Sequence, residues 1–379
     1  MKYMRLGDIA TYINGYAFKP EQWSCNGKPI IRIQNLNNQN AEYNYFDGNI
    51  NEKYIIKKGD ILISWSASIG VYEWNLEESW LNQHIFKVEF NKIDIDKKYF
   101  KFIVRMALER AMQYMHGSTM KHITKKYFDD IKIPVPNLII QRKIAEVLDK
   151  VQELIDKRKE QIGALDELVK SRFIEMFGDP IKNHKKLAKA KLSDLGEWKT
   201  GGTPSRSKNE YYNGNIPWLS SGELNNKYCF SSNEMITELA INESSAKIIA
   251  PGSLLLGMYD TAALKSTINM IECSCNQAIA YSKLNDNLVN TIYIYYCIQI
   301  GKGFYKSQQR GVRQKNLNLS MVKGLEVLMP SLELQNQFAN FVEQVDKLKF
   351  KMEKSLKELE DNFNSLMQKA FKGELFNED

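Results

Sequence analysis

Ile131-Lys132-Ile133-Pro134-Val135-Pro136 and Leu325-Glu326-Val327-Leu328-Met329-Pro330 are one pattern written twice, 194 residues apart. At the same offset Gln141 falls on Gln335, Gly117 on Gly311, Lys121 on Lys315, and Asn82-Gln83 on Asn276-Gln277. Further along, Ser171 and Phe177 fall on Ser365 and Phe371. Upstream the offset shrinks slightly, as changes in loop length produce. There Ile55-Ile56-Lys57-Lys58-Gly59-Asp60-Ile61-Leu62 matches Ile248-Ile249-Ala250-Pro251-Gly252-Ser253-Leu254-Leu255. Leu36-Asn37-Asn38 matches Leu224-Asn225-Asn226, and Leu6-Gly7-Asp8-Ile9 matches Leu192-Ser193-Asp194-Leu195. The matches keep their order from one end of the chain to the other, which low-complexity similarity does not do, so the chain is an internal repeat.

Each repeat has two parts. The first mixes short strand-like runs with turn residues. Ile30-Ile31-Arg32-Ile33 and Ile61-Leu62-Ile63-Ser64-Trp65 read as strands, and Gly59-Asp60 and Gly252-Ser253 as turns. Helices are expected from Lys98 to Tyr114 and from Leu288 to Gln299. Pro134, Pro136 and Pro330 punctuate the end of this part, because the residue before a proline is turned away from helix. The second part is one long helix. Ile144, Leu148, Val151, Ile155, Arg158, Ile162, Leu165, Val169 and Arg172 follow alternating steps of four and three. Phe338, Val342, Val345, Lys349, Met352, Leu356, Leu359, Phe363 and Leu366 do the same. A period of 3.5 residues predicts helices that pack as a coiled coil. Ser331 to Gln335 opens the second helix in the manner of a capping box shifted by one, and Gly178-Asp179-Pro180 and Gly373 close the two helices.

Chain length decides how these helices run. Helices of about 35–40 residues are ~50–60 Å long. The stretch from Phe177 to Lys191 spans at most ~45 Å when fully extended. A parallel pair needs the chain to return a whole helix length, whereas an antiparallel pair needs no return. The expected fold is therefore α+β: two similar globular α/β domains joined by two long antiparallel coiled-coil helices, with a pseudo-twofold internal repeat. That arrangement is a rod with a domain at each end, an isologous dimer imitated within one chain. The expected boundaries are 1–137 and 187–331 for the domains, 138–178 for the central helix and 332–373 for the distal helix. Arg158, Arg172 and Lys349 sit in the seam; either their stems snorkel to its edge, or they fix register or meet a partner.

Bulk properties narrow the setting. A chain of 379 residues holds two or three domains. No apolar run approaches the ~20 residues a membrane span needs, and the N-terminus carries no signal-peptide core, so a cytoplasmic protein with no membrane partner is expected. The five cysteines form no CxxC pair. Cys273 and Cys275 flank a single residue without a second ligand pair, so strand alternation or core packing is preferred over zinc. The net charge of +7, most of it in residues 1–186, permits nucleic acid as a partner without demanding it.

Motifs for catalysis are missing from the sequence. It has no glycine-rich loop with a lysine to cradle phosphate, and no G-x-G opening a βα unit for a nucleotide or S-adenosylmethionine. Asn215-Ile216-Pro217-Trp218 is a poor imitation of an adenine-methyltransferase motif, and His84, His116, His122 and His184 lack ligand partners at helical spacing. A non-enzyme is expected, with no metal or cofactor on this chain.

The order of parts now supports a resemblance: a globular domain with a Pro-punctuated end, Gln141-Arg142-Lys143-Ile144-Ala145-Glu146-Val147-Leu148-Asp149-Lys150, a long helix ending Arg172-Phe173-Ile174-Glu175-Met176-Phe177-Gly178, and then the same again. With Gly117-Ser118-Thr119-Met120-Lys121-His122-Ile123 preceding the Pro-punctuated end, the whole chain resembles the specificity subunit of type I restriction-modification enzymes. The resemblance implies two target-recognition domains reading an asymmetric, bipartite site on double-stranded DNA. It implies two methyltransferase subunits as partners and, through them, restriction/translocase subunits; S-adenosylmethionine, ATP and Mg belong to those partners. The second half departs from the first: Gly311-Val312-Arg313-Gln314-Lys315-Asn316-Leu317 replaces the Gly-Ser-Thr form, and Gln337-Phe338-Ala339 replaces Lys143-Ile144-Ala145. Such changes leave it open whether both domains touch DNA through the same residue types.

Reading sequence requires bidentate hydrogen-bonding ends, with Arg and Lys suited to guanine and Asn and Gln to adenine. Positioning on the backbone requires cations and small hydroxyls. The first candidate loop offers Ser118, Thr119, Lys121, His122, Lys125 and Lys126. The second offers Lys306, Gln308, Gln309, Arg310, Arg313, Gln314 and Lys315. Weaker candidates are the Thr203-Pro204-Ser205-Arg206-Ser207-Lys208 loop, with its cations Arg206 and Lys208, and the segments Ser64 to Gly70 and Gly257 to Ala263. For any one of these residues an ordinary solvated charge remains the alternative. For the whole chain the alternatives are a stand-alone nuclease or hydrolase with duplicated domains, or a coiled-coil scaffold that does not bind DNA.

Overall fold

The computed structural model describes residues 2–66, 68–113, 123–259, 263–307 and 316–376. The chain divides into two units: Met1–Lys159 with Lys354–Asp379, and Glu160–Glu353.

Unit 1 opens with β1 (Tyr3–Arg5), α1 (Leu6–Ile9) and β2 (Thr11–Asn14). β3 (Lys28–Ile31), α2 (Ile33–Asn37), β4 (Asn44–Phe46) and β5 (Ile55–Ile56) follow, then β6 (Ile61–Ser64), β7 (Gly70–Glu73), β8 (Ser79–Leu81) and β9 (Ile85–Glu89). α3 (Lys97–Gln113), α4 (Lys125–Asp130) and β10 (Lys132–Pro134) lead into α5 (Leu138–Phe177). One sheet has the order β2-β9-β6-β7 and a second β4-β3-β8-β5, while β1 pairs with β10 and so ties the two ends of the domain together. The buried strand β6 serves two cores. Ile61 and Ile63 pack with Phe86, Val88 and the α3 residues Tyr99, Phe100 and Ile103. Leu62 points the other way, to Ile31, Ile56, Trp74, Leu81 and Ile85. Strand geometry sends alternate side chains to opposite faces, so an unbroken apolar run here marks a strand covered on both sides.

Unit 2 repeats this plan with β11 (Ala188–Lys191), α6 (Leu192–Leu195), β12 (Lys199–Thr200), β13 (Tyr212–Leu219), β14 (Tyr228–Cys229), β15 (Glu234–Ile236) and α7 (Glu238–Glu243). β16 (Leu254–Gly257), β17 (Ser266–Asn269), β18 (Ser274–Cys275), β19 (Ile279–Ser282), α8 (Thr291–Ser307), α9 (Leu319–Lys323) and β20 (Glu326–Met329) lead into α10 (Leu332–Lys372). The sheets are β12-β19-β16-β17-β14 and β15-β13-β18, and β11 pairs with β20. Leu254 and Leu256 face the helical core and Leu255 the other one, as in β6. The hydrogen bonds repeat as well. Tyr99 donates its hydroxyl to Pro134 O at 2.8 Å, and Tyr293 donates to Leu328 O at 2.8 Å. The Leu6 N–H donates to Ile131 O at 2.8 Å, and the Leu192 N–H to Leu325 O at 3.0 Å. The units differ between β2 and β6 and between β12 and β16, where unit 2 adds the edge strand β14 and the helix α7.

The long helices are shared between the units. In unit 1, Ile144, Leu148 and Ile155 of the first half of α5 pack with Phe363, Met367 and Ala370 near the end of α10. In unit 2, Leu165, Val169, Phe173 and Phe177 of the second half of α5 pack with Phe338, Val342 and Val345 near the start of α10. Within each unit the beginning of one helix thus lies beside the end of the other, the pairing of antiparallel helices. Gly178 (φ 80°) and Gly373 (φ 76°) end them in the left-handed conformation.

Three local expectations change. The strand read over residues 30–33 ends at Ile31, and Ile33 opens α2, because the Asn35 side chain accepts the Arg32 N–H at 3.1 Å and turns the chain into a helix. Arg172 is exposed and paired with Glu175 at 2.8 Å, and the buried positions there are Phe173 and Phe177. A helix of 3.6 residues per turn drifts from a 3.5-residue seam, and at this end it packs on the domain as well as on its partner: Phe173 stacks on Tyr293 at 5.6 Å. The second domain helix starts three residues later than Leu288 and runs eight residues past Gln299, to Ser307. Asn290 accepts the Ile292 N–H at 3.0 Å at its start. The helix continues through Gly301 and Gly303 because Gly301 packs directly under the buried Tyr305 ring, so tertiary contact overrides the low helix propensity of glycine.

Candidate nucleic-acid interface

Most residues of the two candidate loops fall outside the described residues: Ser118, Thr119, Lys121 and His122 in the first, and Gln308, Gln309, Arg310, Arg313, Gln314 and Lys315 in the second. Their anchor points are defined. After the first loop, the Ile123 N–H donates to Trp65 O at 3.2 Å; after the second, the Leu317 N–H donates to Met258 O at 2.8 Å. The loop exits are thereby brought to the ends of β6 and β16, joining in each unit two segments that are far apart in sequence. A short helix follows each exit, capped by Thr124 in α4 and Asn318 in α9, whose side chains accept the Tyr127 and Met321 N–H groups.

Lys125 opens α4, pairs with Asp129 at 2.5 Å, and lies over the rings of Tyr12 and Phe86 at 5.2 and 5.5 Å. Lys126 beside it is exposed. In unit 2 Lys306 lies in the last turn of α8. Burial, together with the nearby cations Lys306 and Lys265, holds the Lys302 ammonium below the usual lysine range. Lys306 and Lys265 each repel the Lys302 ammonium, and an anion beside Lys302 relieves that repulsion. Only Lys306 was a candidate from sequence. Lys265 and Lys302 lie 37 residues apart in the chain and come near each other because α8 packs on the sheet, where Gln299 donates to Leu264 O at 3.1 Å.

Arg206 and Lys208 already have partners. The Arg206 guanidinium donates twice to Glu234, at 2.6 and 3.1 Å, above the rings of Tyr212 and Trp218, and its pKa is raised by that carboxylate. Lys208 donates to the Tyr211 hydroxyl at 2.6 Å and to Glu243 at 3.2 Å. Their loop approaches the rest of the site through Thr203, whose hydroxyl donates to the side-chain oxygen of Gln277.

Gln277 belongs to an element that charge and loop composition do not single out. Gln83-His84 is the turn between β8 and β9, and Gln277-Ala278 the turn between β18 and β19. Each is pinned beside its loop exit. The Trp65 N–H donates to His84 O at 3.3 Å, and the Met258 N–H to Ala278 O at 2.9 Å. His84 has φ 71°, and its ring meets the Trp65 ring edge-on at 4.8 Å. The sequence signal for these turns is the Asn-Gln pair shared by both repeats.

Cys273, Cys275 and Cys297 belong to cores, whereas Cys25 is exposed and Cys229 half-buried. Cys273 and Cys297 are pushed up to about 12 by burial, Cys275 is also held well above the ordinary thiol range, and none forms a thiolate readily. Among the described residues no group of three His, Cys, Asp or Glu side chains could hold a metal, and no helix is long and apolar enough to cross a membrane.

Comparison with known proteins agrees with this layout. Residues 1–164 and 184–361 match the family model described as the type I restriction modification DNA specificity domain. The chain is 22% identical over 406 residues to the EcoBI specificity subunit of Escherichia coli, covering 98% of this chain and 85% of that one. It is 25% identical over 409 residues to the StySPI specificity subunit of Salmonella potsdam, with 97% and 87% covered. The crystal structure of the type I restriction-modification S subunit from M. genitalium superimposes with a TM-score of 0.55 at 14% identity, over 100% of this chain and 96% of that one, a likeness of fold. With the domain matched twice and nearly end to end, the chain belongs to the family of type I restriction-modification specificity subunits.

Proposed function

We propose that this chain chooses the DNA sequence on which a type I restriction-modification enzyme acts. Each unit reads one half of an asymmetric bipartite site on double-stranded DNA. The observation that carries the reading is a duplicated hydrogen-bond skeleton bearing unlike loops: Ile123 on Trp65 and Leu317 on Met258 anchor Gly117-Ser118-Thr119 in one repeat and Gly311-Val312-Arg313 in the other. A common scaffold with different tips suits two readers of different words. The loop residues Ser118, Thr119, Lys121 and His122, and Gln309, Arg310, Arg313, Gln314 and Lys315, are the proposed readers. Lys125, Lys126 and Lys306 flank them. Arg206 and Lys208 take part only by exchanging their carboxylate partners for DNA.

In this reading the chain is not itself catalytic. It binds two methyltransferase subunits and, through them, restriction/translocase subunits in the cytoplasm; S-adenosylmethionine, ATP and Mg are held by those partners. The test is to produce the chain with the methyltransferase encoded beside it and to ask whether the pair methylates a split motif. Methylation at such a motif supports the reading. Nuclease activity of the chain alone favours a duplicated-domain nuclease, and a complete lack of DNA affinity favours a scaffold.

A further inference from the structure

We propose that the β8–β9 and β18–β19 turns hold the DNA backbone, with Gln83 and Gln277 donating to phosphate oxygens, and that they read no bases. The inference rests on the DNA-binding role above and adds a division of labour within each unit.

The turns are flanked by the same backbone bonds in both repeats, although His84 takes a left-handed φ and Ala278 does not. Gly15 donates its N–H to Ile85 O at 3.1 Å, and Gly201 to Ile279 O at 3.0 Å. Tyr16 donates to Leu81 O at 2.9 Å, and Gly202 to Cys275 O at 2.9 Å. Asn82 donates to Ile31 O at 3.2 Å, and Asn276 to Leu219 O at 2.9 Å. The backbones approach so closely that a Cβ on Gly15 would lie 2.0 Å from Asn82 O, and one on Gly201 2.2 Å from Cys275 O. Each turn is therefore clamped from below, while Gln83 and Gln277 remain exposed at its tip. The tip stands next to the loop exit, through the bonds from Trp65 to His84 and from Met258 to Ala278.

Retention of glutamine decides the ligand. The loops beside the turns differ between repeats, as readers of unlike half-sites must, yet Asn-Gln is kept in both turns. What two unlike half-sites share is the sugar-phosphate backbone, and glutamine side chains are regular donors to it. In unit 2 the Gln277 side-chain oxygen already accepts the Thr203 hydroxyl, which leaves the NH2 group, the end that phosphate needs.

The experiment uses the full chain assembled with its methyltransferase subunits and a random-sequence duplex pool as probe. Gln83→Ala and Gln277→Ala are each expected to weaken binding roughly tenfold at fixed salt, the loss of one hydrogen bond to a charged acceptor. The methylated motif, read by long-read sequencing, is expected to stay unchanged. Gln83→Lys and Gln277→Lys are expected to restore binding and to steepen the dependence of log K on log salt by about one unit. A changed base in the motif, an unchanged affinity in the alanine variants, or loss of binding in both the alanine and lysine variants would overturn the proposal. The wild-type assembly is the control for the underlying reading: if it binds duplex and methylates a split motif, a failure of the variants counts against the turns alone.

Discussion

The side-chain carbonyl of Gln141 accepts the backbone N–H of Asp96 at 2.9 Å while its amide donates to Pro136 O at 2.8 Å. Gln335 repeats the bridge, accepting from Asn290 at 2.9 Å and donating to Pro330 O at 2.9 Å. Both glutamines are buried in the first turn of a long helix. Each ties the start of that helix to the start of the domain helix, α3 or α8, and to the proline that ends the domain. Replacing either by leucine keeps the volume and strands a buried donor and acceptor. Gln141→Leu and Gln335→Leu are each expected to lower the unfolding free energy by about 3 kcal/mol in urea titration. A loss under ~1 kcal/mol, the net worth of an ordinary hydrogen bond, would show that the bridge is not structural.

Glycines at two kinds of position respond in opposite directions. Gly163 lies inside α5, and a methyl group added there would meet nothing within 4 Å, so Gly163→Ala is expected to stabilise the chain by about 1 kcal/mol through helix propensity. Gly15→Ala drives a methyl group into the Asn82 carbonyl and is expected to destabilise by about 2 kcal/mol or more. Thermal unfolding of the two variants against wild type checks both signs.

Lys227 is, among the described residues, the most deeply placed lysine of an ion pair in unit 2, 2.6 Å from Asp346 and 3.0 Å from the Tyr296 hydroxyl. Its removal leaves Asp346 without this cation, and Lys227→Ala is expected to cost about 3 kcal/mol. Lys227→Met with Asp346→Leu is expected to recover most of that. Burial holds the Lys227 ammonium below the ordinary lysine range despite Asp346. The folded chain therefore gives up this proton before the unfolded chain does. The group's contribution to stability rises as pH climbs from the lowered value to the ordinary one. The buried Tyr228 and Tyr296 hydroxyls, held above the ordinary phenol range by burial, pull the total the other way in both proteins. The expected result in urea titrations is therefore that the stability of wild type relative to Lys227→Met grows with pH over that window.

Leu154 on α5 and Leu348 on α10 occupy equivalent places in the repeat, and each is about half exposed, at 52% and 48%. Paired exposed leucines at matching positions suit two copies of one partner. Leu154→Asp and Leu348→Asp are expected to leave stability within ~0.5 kcal/mol, as surface substitutions do. Each is expected to weaken binding of one methyltransferase subunit by a factor of ten or more, the loss of about 1.4 kcal/mol of contact. Titration of the variants with that subunit reads the stoichiometry directly.

The repeat was legible in the sequence because its matches fall on residues with fixed structural duties. Leu6 and Leu192 start the short helices, Gln141 and Gln335 bridge, and Gly178 and Gly373 end the long helices. The seam was legible in the middle of each helix and failed at Arg172, where Phe173 and Phe177 answer to the domain beneath them as well as to the partner helix. The candidate site was legible only in part. Sequence spacing does not show that Arg206 meets Glu234, 28 residues away, or that Lys265 lies near enough to Lys302 to repel it. Nor does an Asn-Gln pair announce that it is the tip of a turn clamped by a glycine from another strand.

The central claim is that each unit reads its own half of the site. The most direct measurement is long-read sequencing of methylated DNA from cells making this chain with its methyltransferase, compared between wild type, Lys121→Ala and Arg313→Ala. The account predicts one split motif with two unlike halves. A residue that contacts a base is worth ~1–3 kcal/mol, so Lys121→Ala relaxes positions in one half and Arg313→Ala positions in the other. A single uninterrupted motif, or one substitution that relaxes both halves together, would contradict it.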